Sequence, residues 1–312
     1  HLNSTCIVLG PAKEFNTESF YDNFLGISSH ELFHYWNIIR IRPEEMYPYN
    51  FEKENYFTTG YVAEGVTTYY GDLFLVRSGV KDLKWYIEEL TILFKRHFEN
   101  YGRFNASVAE SSWDLWLDGY EAGIPHRKVS IYVKGALIAL ILDLKIILES
   151  NGEKSLDDVM RKLWVEFYKN DKGYSPEEYL KTAEEVIGYD LTDYSNKFIT
   201  GCEPIENELK HLLGQFGFEM ELKTNENPLS NYFGLKINEG TVVEIAPDSP
   251  AEKVFRIGDK LISIEDQKFQ EIENIIQIEE DKSYNFQFFR NNNLIEAKIK
   301  TEKGGFYSRY IL

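Results

Sequence analysis

The sequence predicts an α+β chain, with a mostly helical region over residues 1–225 followed by a small β-rich module over residues 226–312. Three observations carry this reading. Apolar residues recur at helical spacing through most of the first region. The polar, proline-containing stretch Lys223–Ser230 (KTNENPLS) reads as a linker. Beyond it, short β-branched or aromatic runs alternate with turns. The length of 312 residues agrees, since chains carry roughly 100–200 residues per domain.

Taken in order, Phe20, Phe24, Ile27, Leu32 and Phe33 set a helix within Phe15–Asn37. Arg42–Tyr56 holds two prolines, several aromatics and no clear period, so it reads as a loop. A second helix covers Thr59–Ser78 and is stopped by Gly79; a third covers about Leu83–Asn100. Gly102–His126, rich in Gly, Ser, Trp and Asp, reads as loop. Helices are then expected over 129–149, 155–169, 176–187, 190–199 and 205–213. Ser155 with Asp158, and Ser175 with Glu178, have the spacing of helix-start caps. In the second module, strands are expected at Leu235–Ile237, Thr241–Ile245, Lys260–Ile264, Tyr284–Arg290 and Ile295–Lys300, interrupted by a helix near Glu271–Glu279.

Composition narrows the function. Thirty-four Lys and Arg stand against 51 Asp and Glu, a net charge of −17. Such a chain repels phosphate backbones and anionic membrane surfaces, so nucleic-acid and membrane-surface partners are disfavoured. The longest apolar run, Gly135–Leu142, is followed by Asp143 and Lys145. A bilayer span needs about 20 apolar residues, so this run reads as a buried helix and no membrane span is expected. No signal peptide is visible in His1-Leu2-Asn3-Ser4, and without an initiator Met the chain reads as a fragment or processed form. Cys6 and Cys202 are too few for a disulfide framework and are expected as small buried thiols.

The chemical signal is His30-Glu31-Leu32-Phe33-His34, an H-E-x-x-H pattern on a predicted helix. Positions i and i+4 share a helical face, so both imidazoles can reach one ion. Glu31 lies close to the same face and can take a proton from a water that zinc would bring to a pKa of about 7. The competing reading is a half-buried helix whose histidines bind nothing. A catalytic zinc needs a third protein ligand, and Glu64 in the second helix is the candidate, although spacing alone favours a solvated carboxylate there.

The run His30–Pro43 (HELFHYWNIIRIRP) resembles the active-site block of the glycyl aminopeptidase family of zinc metallopeptidases. Ala63–Leu73 (AEGVTTYYGDL) resembles that family's third-ligand helix, and Val129–Leu137 (VSIYVKGAL) a further shared segment. The resemblance implies a thermolysin-like zinc peptidase domain, truncated at its N-terminus, over 1–225. It implies one zinc ion held by His30, His34 and Glu64, with Glu31 as general base. It gives Tyr132 the role of a phenol donating to the tetrahedral oxyanion. It further implies aminopeptidase action with a preference for small N-terminal residues such as Gly or Ala, and a cytoplasmic or periplasmic protein of bacteria or archaea.

The sequence also departs from the family. His1-Leu2-Asn3-Ser4 looks like the tail of a segment whose Glu holds the substrate's free amine, and that Glu does not appear in this chain. Metalloendopeptidase action, or peptide binding with a structural metal, therefore stand as alternatives. Thermolysin itself has an acidic partner four residues after its third ligand, where this chain has Thr68; Asp72, a turn on, is a candidate to orient a ligand histidine or else an ordinary surface Asp. His126 is by default a loop histidine, with an oxyanion or substrate contact as the alternative. Gly240–Glu252 and Arg256–Ile264 resemble a PDZ domain of the bacterial protease type over 226–312. Phe233, Gly234 and Leu235 would form its carboxylate-binding loop for a C-terminal peptide.

Overall fold

The computed structural model describes residues 3–118, 123–265, 267–269 and 278–312. It is a mixed helix and sheet structure, as the sequence predicts.

Thr17 accepts a hydrogen bond from the Phe20 N–H and starts α1 (Glu18–Phe33), shorter at both ends than expected. A π-helical turn, Tyr61–Val66, runs directly into α2 (Thr67–Arg77), and Gly79 turns the chain at φ 76°. Asp82 caps α3 (Leu83–Phe98). The segment expected as loop instead contains α4 (Val108–Trp113) and α5 (Leu115–Asp118). The reason is a capping box in which Ser107 and Glu110 satisfy each other's backbone N–H groups. Ser130 starts α6 (Ile131–Glu149), which is buried over most of its length because Val, Leu and Ile occupy all its faces. Both expected capping boxes form, opening α7 (Leu156–Glu166) and α8 (Pro176–Ile187). A short α9 (Thr192–Tyr194), a π turn at Ser195–Ile199 and α10 (Glu206–Gln215) complete the helices.

The strands are β1 (Glu221–Lys223), β2 (Leu235–Asn238), β3 (Thr241–Ile245), β4 (Lys260–Ile264), β5 (Gln267–Lys268), β6 (Ser283–Arg290), β7 (Asn293–Lys300) and β8 (Arg309–Ile311). One antiparallel sheet runs β2-β3-β4-β6-β7, with β5 on β4. The tight β6–β7 hairpin turns through Asn291 and Asn292, both at positive φ. The helix expected near Glu271–Glu279 lies almost wholly outside the described residues. The KTNENPLS stretch is pinned rather than loose: Asn227 accepts from the N–H groups of Leu229 and Ser230. Beyond the expected pattern, β8 returns to pair with β1, and Tyr310 packs its ring 4.9 Å from Phe98 of α3.

Two hydrophobic clusters result. The larger is built from α1 to α10 around the core of α6. The smaller gathers Phe233, Leu235, Phe255, Phe286 and Phe288 between the sheet and its flanking loops. An ion pair bridges them, with Lys236 Nζ 3.2 Å from the Glu99 carboxylate. Cys6 is exposed and Cys202 half-buried, both free, which corrects the expectation of two buried thiols.

The contact that positions the site is the crossing of the π turn with α6. Gly65 and Gly135 meet backbone to backbone, and a Cβ on Gly135 would lie 2.7 Å from Gly65 Cα and 2.9 Å from the Tyr61 carbonyl oxygen. Neither neighbour is a flexible side-chain tip, so the helices must separate to admit a methyl group. Gly135→Ala is expected to cost about 1–3 kcal/mol in urea unfolding, as overpacking does. An unchanged midpoint would show that the crossing is looser than drawn.

Candidate active site

His30 and His34 project from the last turn of α1, one turn apart, with ring centroids 4.7 Å apart. Glu64 enters from the π turn, one residue before Gly65. Its Oε2 lies 3.3 Å from His30 Nε2 and 3.3 Å from His34 Nε2. The side-chain donors of His30, Glu31 and His34 also all fall within 4.8 Å of one another. Helical insertions of the π type recur at functional sites, and here the extra residue aims a carboxylate at the imidazoles.

This donor set fits a single zinc-like ion. An ion about 2.0–2.1 Å from two donors at a tetrahedral angle puts those donors about 3.3 Å apart. Both donor types, imidazole nitrogen and carboxylate oxygen, are ordinary zinc ligands. Burial pushes the Glu64 carboxyl up, but its hydrogen bonds to the two histidines outweigh this and hold it at about 2. Glu64 is therefore ionised at neutral pH, the state a metal ligand requires. Burial acts to lower the His34 pKa, yet the Glu64 partner leaves it raised.

The surroundings fix these side chains. His34 Nδ1 lies 3.3 Å from the Asn37 carbonyl oxygen, which can accept a hydrogen bond from Nδ1 and fixes the ring with Nε2 facing Glu64. Asn37 is fully buried and donates to the Val62 carbonyl at 2.8 Å and to Thr67 Oγ1 at 3.0 Å. Thr67 in turn donates to the Ala63 carbonyl at 2.7 Å and sits 3.5 Å from His34 Nδ1. Ser29 donates to the Gly71 carbonyl at 2.6 Å, and Gly71 packs directly on the His30 backbone, locking α1 to α2. Thr5 donates to Glu31 Oε2 at 3.2 Å. Sequence reasoning missed Thr5, Asn37, Thr67 and Gly71. Of these only Asn37, a polar residue three positions past His34 at a helix end, carried a local signal.

Tyr132 stands in the first turn of α6, three residues before Gly135, and its ring stacks 6.2 Å from that of His30 at 28°. The helix crossing thus sets Glu64 and Tyr132 together at His30. A cavity of about 560 Å³ opens on Glu31, His34 and Glu64, with Thr5, Ile38 and Ile39 in its wall. Ile38 holds φ at 87°, a strained value for a β-branched residue, and its N–H donates to the Ile41 carbonyl at 2.8 Å.

Other candidates fall elsewhere. Asp72 faces Tyr86 and Glu89 on α3, where burial, reinforced by Glu89, raises its pKa to about 7. His126 is built into the seam between the two clusters. Its Nδ1 accepts from the Tyr101 N–H at 3.2 Å, and its Nε2 lies 3.2 Å from Tyr307 Oη and 3.6 Å from Glu244. Phe233 and Leu235 are fully buried in the smaller cluster, and the Gly234 N–H is already bonded to the Ser230 carbonyl at 3.1 Å.

Residues 23–138 match the model of the M61 glycyl aminopeptidase family. The crystal structure of an aminopeptidase N family protein from Idiomarina loihiensis superposes with a TM-score of 0.85 at 28% identity, covering 97% of this chain and 55% of that one. The chain thus spans about half the length of that neighbour. No curated protein matches it.

Two outcomes are expected at this site. Asn37→Ala keeps the carbonyl that faces His34 but removes the side-chain bonds to Val62 and Thr67 that tie the end of α1 to the segment bearing Glu64, so it should weaken zinc affinity about 10-fold, measured by chelator competition; unaltered affinity would remove the Asn37 side chain from the site. Asp72→Asn should raise the melting temperature at pH 8 with zinc content unchanged. The folded pKa lies above the unfolded one, so the cost of the buried charge is full above about pH 7 and vanishes below about pH 4. A gain of equal size at pH 4 would contradict this.

Proposed function

We propose that the chain is the catalytic part of a zinc aminopeptidase that removes small N-terminal residues. In this reading residues 1–225 form a thermolysin-like catalytic domain and 226–312 a PDZ-like module. The single observation that carries it is the convergence of Glu64 Oε2 on both histidines, 3.3 Å from each Nε2. The family description, glycyl aminopeptidase, supports the preference for small residues.

His30, His34 and Glu64 would hold the zinc. When bound it supplies Lewis-acid polarisation of the scissile carbonyl and lowers the pKa of water to about 7. Glu31 takes the proton of the attacking water and passes it to the leaving amine. Thr5 steadies Glu31 through its hydroxyl. The Tyr132 phenol donates to the oxyanion as negative charge develops, from a helix already fixed by the Gly65–Gly135 contact. The 226–312 module would offer a groove to a C-terminal peptide. Phe233, Gly234 and Leu235 would form its carboxylate-binding loop, and the outer edge of β2 would pair with the peptide strand.

Glu31→Gln is expected to lower kcat about 10²–10⁴-fold with zinc retained, and Tyr132→Phe about 100- to 1,000-fold with KM little changed. Comparing a peptide with a free amine against its acetylated form separates the modes of cleavage. Hydrolysis of the free form alone supports the aminopeptidase, and equal hydrolysis an endopeptidase. Hydrolysis that survives Glu31→Gln in full would overturn the mechanism.

A further inference from the structure

A second cleft, of about 920 Å³, has Tyr132 in its wall. One face of α3 forms its side, since Ile92, Lys95, Arg96 and Glu99 recur at i, i+3, i+4 and i+7. The segment leading into α6 and the edge of β2–β3 close it. In a chain of net charge −17 this lining is locally cationic: Lys95, Arg96, Lys128 and Lys236 against Glu99 and Glu244. The two carboxylates are already engaged by Lys236, at 3.2 Å and 3.1 Å. Lys95 and Arg96 are exposed, and neither has an ion-pair partner among the described residues.

Tyr132 lines the cationic cleft and stacks 6.2 Å from the ring of His30, which sets the cleft beside the candidate reaction centre. A short peptide carries an ammonium at one end and a carboxylate at the other. The exposed cations of α3 favour the orientation that puts the carboxylate toward α3.

We propose that the 920 Å³ cleft receives the carboxylate-bearing, downstream part of the substrate, with Lys95 and Arg96 as its charge-reading residues. The preferred substrates are then short peptides with a free C-terminal carboxylate, or with acidic side chains just beyond the scissile bond. This rests on the peptidase reading and deepens it by naming the substrate's charge.

The test is calorimetric binding to the purified Glu31→Gln protein, with and without the added pair Lys95→Ala and Arg96→Ala. Three probes are compared: Gly-Ala-Ala-Ala as the free acid, the same peptide as its C-terminal amide, and Gly-Ala-Asp-Ala amide. A carboxylate-bearing probe should bind about fivefold more tightly than the plain amide, and the advantage should vanish in about 0.5 M salt, where exposed charges are screened. In the double variant it should fall to the affinity of the amide, with amide binding unchanged. An advantage confined to the free acid assigns the cleft to the chain terminus, and one confined to the Asp peptide assigns it to downstream side chains; either supports the proposal. Equal binding of all three probes, or an advantage that survives the double variant, would overturn it. Hydrolysis of the amide by the protein with Glu31 intact reports separately on the peptidase reading, and no binding of any probe would sink both together.

Discussion

Two segments of helix can touch backbone to backbone only where neither carries a side chain, and the site depends on one such contact. Gly65 and Gly135 abut at the crossing of the π turn and α6. Glu64 precedes one of these glycines and Tyr132 stands a turn before the other, so a single crossing sets the positions of both with respect to His30. A second close approach, Gly71 on the His30 backbone, fixes α1 against α2. Close packing of this kind transmits displacement instead of absorbing it. A methyl group at the crossing would be felt at the carboxylate.

Polar bonds then refine what packing has placed. Asn37 joins the end of α1 to the π turn through Val62 and Thr67, and the same backbone turn offers the carbonyl that orients His34. The carboxylate of Glu64 and the two imidazoles attract one another strongly enough to keep Glu64 ionised despite burial. Beside this centre the cleft along α3 presents exposed Lys95 and Arg96, in a chain that is acidic as a whole. A chain of uniform acidity would give a peptide no preferred direction.

What the sequence made legible follows from range. His30, Glu31 and His34 share one helix, so their spacing alone puts them on one face. The capping boxes at Ser155 and Ser175 and the apolar run of α6 are equally local, and each appears where expected. Glu64 needed the family resemblance, because nothing in its own neighbourhood distinguishes it from a surface acid. Asn37, Thr67 and the glycine pair act across separations of 25 residues or more, which no window of sequence displays. The strands β1 and β8 escaped notice because three residues carry no periodicity. The Ser107–Glu110 capping box was hidden in a segment whose Gly and Trp content suggested a loop.

The central claim is that three side chains from two segments surround one cation. Anomalous diffraction at the zinc absorption edge, on crystals grown with zinc, tests it directly. The account predicts one dominant peak about 2.0–2.2 Å from His30 Nε2, His34 Nε2 and a Glu64 carboxylate oxygen. A peak coordinated by the histidines with Glu64 turned away, or no peak between the two rings, would contradict it.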